Sequence, residues 1–410
     1  MTDRDSGRAA DEAMDHVLVV NAGSSSLKYS LVDAGTGEAT GSGLVERIGE
    51  SQGRHVHRGP DGETETSAKV PTHEDALRAA IEAFEAHGPS LDDVELAAVG
   101  HRVVHGGATF GAPALIDDDL VAAVTDLVPL APLHNPANLE GIRVARRLFP
   151  DLPQVAVFDT AFHQTLPPHA YTYAVPSSWS EEHGIRRYGF HGTSHAFVSQ
   201  EAARLLGRDP ADVNAIVLHL GNGCSASAVR GGESVETSMG LTPLEGLVMG
   251  TRSGDVDPAI PAYLMRELDL SMDDIDEALN KSSGLKGLTG ENDFREVSRM
   301  RADGDERAAL AFDVYCHRIR KYVGAYYAVL GTVDAVVFTA GVGENSAEVR
   351  AAALSGLQRL GISVDEDRNA EKSKKARHIS PDDGDVAVLV VPTNEEWQIA
   401  RESVSLVRSR

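Results

Sequence analysis

Asn21-Ala22-Gly23-Ser24-Ser25-Ser26-Leu27-Lys28 packs a glycine, three hydroxyls and a lysine into one short turn. Residues 17–20 before it form an apolar run. Residues 27–32 after it alternate and stop near Gly35 and Gly37, so the stretch reads as strand, tight turn, strand. Backbone N–H groups and hydroxyls at such a tip can hold phosphate oxygens, with Lys28 supplying charge. A Ser-rich hairpin turn without a ligand fits the spacing equally well. The stretch is not a Walker A loop, because no Gly-Lys-Ser/Thr follows four spacer residues. Ser25-x-x-Lys28 also matches the nucleophile motif of serine β-lactamases, but the Lys-Thr-Gly and Ser-Asp-Asn tripeptides that reading needs do not occur.

The pattern returns further along the chain. Residues 215–220 read as a strand, Gly221-Asn222-Gly223 as a turn and residues 225–229 as a small-residue strand. Two such hairpins hint at a duplicated domain with one phosphate-facing tip in each half; two unrelated hairpins would look the same. Outward from them, residues 96–104, 155–158, 335–340 and 386–391 read as strands. Helical patterns fall at 194–206, 258–268, 272–279, 306–330 and 394–407, with another running from the Gly341-Val342-Gly343 turn through Leu360. Thr72 with Asp75 is a capping box, followed by Leu77, Ile81 and Phe84 at helical spacing. Strands alternating with helices predict an α/β architecture.

The chain has 410 residues, 42% of them hydrophobic, enough for two domains with real cores. No apolar run approaches the roughly 20 residues of a membrane span. The opening polar residues, 1–16, read as a disordered tail and not a signal peptide. Two cysteines, Cys224 and Cys316, make no disulfide framework, which points to a reducing cytoplasm. The formal charge of −24 repels phosphate backbones and acidic membranes, so neither nucleic acid nor a membrane is an expected partner. Anionic substrates would then require Arg, His and Lys gathered at one place.

Such residues stand in motif-like settings. Arg102, in Gly100-His101-Arg102-Val103-Val104-His105-Gly106-Gly107, lies on an apolar strand, where it needs a partner: a bound carboxylate or phosphate, or a structural ion pair. His134 lies in Pro132-Leu133-His134-Asn135-Pro136. His191 lies in Tyr188-Gly189-Phe190-His191-Gly192-Thr193-Ser194-His195. An N-cap at Thr193 or Ser194 puts His191 before the helix, which argues against a His191–His195 zinc pair. Imidazoles here read as oxyanion stabilisers or as hydrogen-bonded structural residues. Asp159 follows a buried strand at the carboxyl end, where α/β folds place their chemistry. Arg252 sits in a loop of capping residues, Thr251-Arg252-Ser253-Gly254-Asp255-Val256-Asp257-Pro258. Gly341-Val342-Gly343-Glu344-Asn345 joins strand to helix, which suits nucleotide contact, and Glu395 opens the last helix.

Taken together and in this order, these segments closely resemble the acetate kinase family, from about residue 17 to residue 401. The resemblance also rests on Phe158-Asp159-Thr160-Ala161-Phe162-His163 and on Pro392-Thr393-Asn394-Glu395. It implies duplicated RNase-H-like domains of the actin-like ATPase kind, flanking a central cleft, in a homodimer. The expected division is a first domain over 17–162 plus 397–410 and a second, nucleotide-binding domain over 163–396.

The resemblance also implies reversible Mg-dependent transfer between ATP and acetate, giving acetyl phosphate and ADP, with Mn2+ able to replace Mg2+. A propionate or butyrate kinase of the family, or a sugar kinase of the same fold, is the alternative. Carried over by position, Asn21 and Glu395 hold the metal and Lys28 contacts ATP phosphate. Arg102 binds substrate, with Val104, Leu133, Phe190 and Pro243 around its methyl group. Asp159, His191, Arg252 and His134 are the catalytic set. His219, Leu220, Gly221, Asn222, Gly223, Asp293, Phe294, Arg295, Gly341, Val342, Gly343, Glu344 and Asn345 match the nucleotide segments. Cys224 and Lys286 depart from the pattern, standing where a small polar and an apolar residue are expected.

Overall fold

The computed structural model describes residues 15–410, in two compact units. The first takes the described residues up to Ala161 together with Asn394–Arg410, and the second takes Phe162–Thr393. These boundaries differ by one and three residues from the expected ones, and the second difference puts Glu395 in the first unit. The expected tail over 1–16 lies outside the described residues as far as residue 14, while His16 already opens a strand.

The first unit is built on an eight-stranded sheet. Its strands are β1 (His16–Ala22), β2 (Ser26–Asp33), β3 (Ala39–Glu46), β4 (Gly53–Gly59), β5 (Gly62–Ala68), β6 (Leu96–Val103), β7 (Ala114–Leu115) and β8 (Gln154–Phe158), in the order β5-β4-β3-β2-β1-β6-β8-β7. Alternate side chains of a strand point to opposite faces, and the run at 17–20 is apolar at every position because both faces of β1 are covered. Leu18 and Val20 pack with Leu77 and Phe84 of the helix His73–His87. Val17 and Val19 pack with Ile399, Ala400 and Val404 of the helix Glu395–Arg408. The capping box of Thr72 and Asp75 is formed, satisfying two donors that would otherwise be orphaned at the start of that first helix. Full burial of Leu77 and Phe84 contributes roughly 1.5–3 kcal/mol for each side chain.

The second unit has β9 (Asn214–Leu220), β10 (Cys224–Arg230), β11 (Glu233–Thr237), β12 (Ala335–Thr339), β13 (Arg377–His378) and β14 (Ala387–Val390), in the order β11-β10-β9-β12-β14-β13. The helix Gly192–Leu205 packs on β9 and β12, and the helix Glu306–Leu330 on β9 and β10.

Duplication is explicit in the topology. In each unit three antiparallel strands, β3-β2-β1 or β11-β10-β9, are followed by two parallel ones, β6-β8 or β12-β14. A two-residue antiparallel strand then ends each sheet. The β4-β5 hairpin is the addition peculiar to the first unit. One expected element needs correction. The single helix from the Gly341 turn through Leu360 is three pieces, Ala340–Asn345, Ala347–Leu354 and the short turn Gln358–Leu360, because Ser346 caps a new helix start by accepting from the Val349 N–H.

Candidate active site

In the first unit β1, β6 and β8 run parallel, so their carboxyl ends bring Asn21, Arg102 and Asp159 to one edge. Arg102 donates from Nε to Asp159 Oδ1 at 3.1 Å and from Nη2 to Oδ2 at 2.5 Å, a two-pronged ion pair. Glu395 Oε2 lies 3.8 Å from the same Nε. Burial works against the charge on Arg102, but the Asp159 and Glu395 carboxylates outweigh it and hold the guanidinium more firmly protonated than usual.

Lys28, paired across the hairpin with Asn21, donates to Glu396. Burial pushes the Glu396 carboxyl up, and Lys28 more than compensates, leaving it below its ordinary range. The cluster thus sets three carboxylates, Asp159, Glu395 and Glu396, against two cations.

The backbone beneath it is fixed by amides from the helix Asn135–Leu148. Asn138 accepts from the Val104 N–H at 3.0 Å and donates to the Ala22 carbonyl at 2.8 Å, tying the end of β1 to the end of β6. Asn135 brackets His105 through both its N–H and its carbonyl. His134 stands at the N-cap of that helix without a side-chain capping bond. The expected methyl-pocket residues fare differently here, since Val104 is buried while Leu133 is 55% exposed.

In the second unit His191 takes the N-cap position of the helix Gly192–Leu205, two residues before the earlier of the two expected caps. It takes a left-handed backbone conformation, with φ of 55°, that a β-carbon disfavours. Its ring stacks on His219 at 4.2 Å and its Nδ1 lies 2.9 Å from Ser225 Oγ. Gly223 leaves space that matters: a β-carbon there would come within 3.0 Å of Arg252 Nη2 and 3.3 Å of His191 Nε2. These two side chains therefore look onto one spot beside the Gly221-Asn222-Gly223 turn. Arg252 donates to the Pro243 carbonyl at 2.6 Å, no carboxylate pairs with it among the described residues, and burial lowers its pKa. A mostly buried guanidinium in that condition is suited to receive an anion. His219 and Ser194 share a hydrogen bond at 2.8 Å, and Ser194 continues to Thr393. Phe190 is buried, and its carbonyl accepts from His163 Nε2.

A cavity of about 900 Å³ opens beside these groups, large enough for a nucleotide. Its walls include Gly221, Asn222, Asp293, Phe294, Arg295, Gly341, Val342 and Asn345 from the expected nucleotide segments. His219, Leu220, Gly223, Gly343 and Glu344 stand behind or beside that wall and not on it. Arg295 folds back onto Asp293 through two nitrogens.

The departures from the family pattern are accommodated. The Cys224 thiol donates to the Gly221 carbonyl at 3.2 Å and lies 3.3 Å from the Tyr315 hydroxyl, and burial raises its pKa to about 11, so it acts as a hydroxyl-like donor. Lys286 is exposed.

Five side chains at these sites escaped the sequence reading. Glu396 stands beside Glu395 as one more first-turn acid. Asn138 is an ordinary helix residue until its two backbone partners are seen. Ser225 and Ser227 do carry a signal, the alternation of hydroxyls on one face of β10. Arg350, only 1% exposed, donates to the carbonyls of Gly343, Glu344 and Asn369 and to the Asn369 side chain, yet nothing in its helical setting marks it.

Two repeated α/β units, one carrying a nucleotide-sized cavity beside an arginine–imidazole pair, describe a kinase of the duplicated actin-like fold. A sequence profile of the acetokinase family matches residues 16–401. An acetate kinase from Streptomyces avermitilis is 60% identical over 393 residues, 95% of this chain and 97% of that one. Another, from Leifsonia xyli, is 57% identical over 394 residues, covering 96% and 99%. Among solved structures, Porphyromonas gingivalis acetate kinase aligns with a TM-score of 0.91 at 42% identity, over 96% of this chain and 99% of that one. A propionate kinase from Francisella tularensis aligns at 0.89 and 43% identity, over 95% and 99%. The chain belongs to the acetokinase family.

Proposed function

We propose that the protein transfers a phosphoryl group reversibly between ATP and acetate, forming acetyl phosphate and ADP. The observation that carries this reading is the pairing of Arg102 with Asp159 in a unit whose partner unit holds the nucleotide-sized cavity, Arg252 and His191. A carboxylate is ionised at neutral pH and needs no base to become a nucleophile. What it needs is charge neutralisation and alignment, which arginine and imidazole donors supply. Arg102 would orient acetate, and Asp159 would hold the guanidinium in place and remove no proton. Arg252 and His191 would donate to the phosphoryl oxygens of a nucleotide seated against Gly221–Asn222 and Gly341–Asn345. His134 is proposed as a further member of the catalytic set, and Val104, Leu133, Phe190 and Pro243 as the groups that exclude larger acids.

The donor set suits Mg2+, which is usually held by one or two carboxylates along with phosphates. Three carboxylates against two cations favour a cation, and Glu395 makes no hydrogen bond of its own to Arg102. Asn21 and Glu395 would hold the ion, which when bound supplies neutralisation of the phosphate oxygens. Lys28 would exchange Glu396 for a phosphate oxygen.

We also propose a homodimer in the cytoplasm. The helix Ile260–Leu268 buries none of its residues and exposes Tyr263, Met265 and Leu268, apolar surface suited to a second copy. Both cysteines are free. No helix among the described residues is long and apolar enough to cross a membrane.

The test is ATP consumption that depends on acetate and yields a hydroxylamine-trappable acyl phosphate. Turnover should fall from acetate to propionate to butyrate, since one methylene in a small pocket is worth about 1–3 kcal/mol. A product stable to hydroxylamine would indicate a hydroxyl acceptor instead, and butyrate turned over as well as acetate would overturn the substrate assignment.

A further inference from the structure

We infer that His195, Ser225 and Ser227 form a buried proton relay that fixes His191 as a neutral imidazole with its proton on Nε2. The inference deepens the proposed role of His191 as a donor to phosphoryl oxygen, and it rests on that reading for its catalytic consequence only.

Three hydrogen bonds run in series. Ser227 Oγ lies 2.8 Å from His195 Nδ1, His195 Nε2 lies 2.8 Å from Ser225 Oγ, and Ser225 Oγ lies 2.9 Å from His191 Nδ1. Each hydroxyl and imidazole nitrogen here can donate or accept, so the distances alone leave two directions open. Burial settles the direction. Ser225, Ser227 and His195 are wholly buried, and Ser227 Oγ has no other hydrogen-bond partner among the described residues.

If Ser227 accepted from His195, its own proton would have nowhere to go, at a cost of about 1–3 kcal/mol for a buried unmet donor. Ser227 therefore donates to His195 Nδ1. Burial, with His163 and His219 nearby, keeps the His195 ring neutral. Its single proton is then on Nε2 and goes to Ser225 Oγ. Ser225 in turn gives its proton to His191 Nδ1, so the ring proton of His191 must be on Nε2.

The Cε1–Nε2 edge of the His191 ring faces the spot above Gly223 shared with Arg252, and Nε2 is the ring nitrogen on that edge. The relay thus aims an N–H, and not a lone pair, at the place where Arg252 also donates. It also resists protonation of His191. A cationic ring would bring an N–H to Nδ1, and Ser225 would then receive two donors with no acceptor for its own proton. The Arg252 guanidinium beside the same spot acts the same way, since it disfavours a second positive charge there. His195 touches no reacting atom in this scheme. It is a positioning residue, acting through Ser225.

The direct test is two-bond proton–nitrogen correlation on the full chain labelled with 15N-histidine, with the His191 signals assigned by their loss in His191→Gln. At pH 7 the wild-type spectrum should show His191 protonated on Nε2 and unprotonated on Nδ1. A proton on Nδ1, or a cationic ring, overturns the relay whatever any variant does. Ser225→Ala should turn His191 into a mixture of tautomers and lower kcat by about 10- to 100-fold, with KM for acetate and ATP within about twofold of wild type. Ser225→Thr should restore the single tautomer. A single Nε2–H tautomer surviving in folded Ser225→Ala also refutes the inference. His191→Ala retaining full kcat would instead refute the role of His191 while leaving the tautomer result standing.

Discussion

The Arg102 guanidinium grips the Asp159 carboxylate with two hydrogen bonds, at 3.1 and 2.5 Å, at the shared carboxyl end of β6 and β8. The pair settles what Asp159 is suited to do. A carboxylate already saturated by a guanidinium is a poor base, but it holds that guanidinium in one orientation. Asp159→Asn keeps one oxygen for Arg102 and removes the charge. We expect kcat/KM for acetate to fall about 10- to 100-fold, the range of lost supporting contacts. Steady-state kinetics at unchanged activity would contradict this role.

Arg350 predicts a loss in both stability and nucleotide affinity. Burial lowers its pKa to about 10, and all its hydrogen bonds go to neutral oxygens, two of them the Gly343 and Glu344 carbonyls behind the cavity wall. Arg350→Met leaves those acceptors unmet. Urea unfolding should show about 2–4 kcal/mol of lost stability at 1–3 kcal/mol for each unmet group, partly relieved by removing a buried charge. KM for ATP should rise while KM for acetate stays. Equal effects on both substrates would contradict a local role.

Two wholly buried imidazoles predict acid lability. His101 donates to Gln154 Oε1 at 2.8 Å, and His163 is fixed as the Nε2–H tautomer because its partner there, the Phe190 carbonyl, can only accept. Burial pushes both down to about 4 from an ordinary 6.5. Between those values the unfolded chain binds protons that the folded one refuses. Their stabilisation is therefore complete above pH 6.5 and lost as pH falls toward 4, by about 2 kcal/mol each at pH 5. Urea midpoints should drop between pH 7 and pH 5, and His101→Gln should flatten that slope. An unchanged slope would show His101 titrating normally in the fold.

How much of this was legible in the sequence follows from what each residue must do locally. The apolar run at 17–20, the Gly/Ser turn and the capping box at Thr72 and Asp75 are local signals, and they correspond to β1, the β1–β2 turn and the helix His73–His87. The repeated hairpin was visible, but its meaning was not, since strand order depends on which strands pair at long range. β3 to β5 carry small and charged residues, which a sheet edge tolerates, and gave no signal at all. The arginines and histidines at the sites stood out because charge on an apolar strand or beside glycines is costly unless used. Glu396, Asn138 and Arg350 did not, because their importance lies in partners 368, 116 and 19 residues away. The break at Ser346 was missed because one serine cap outweighed a helical pattern that looked continuous.

In the proposed reaction guanidinium charge, and not a base, carries the transfer. Arg252 is the residue to remove, because among the described residues its side chain makes one hydrogen bond, to the Pro243 carbonyl, and pairs with no carboxylate. Arg252→Ala should therefore fold with a urea midpoint near that of wild type. Its kcat in the acetate-dependent reaction should fall by about 10³ or more, the worth of one arginine supplying charge in phosphoryl transfer. A folded Arg252→Ala protein losing less than tenfold in kcat would contradict the claim.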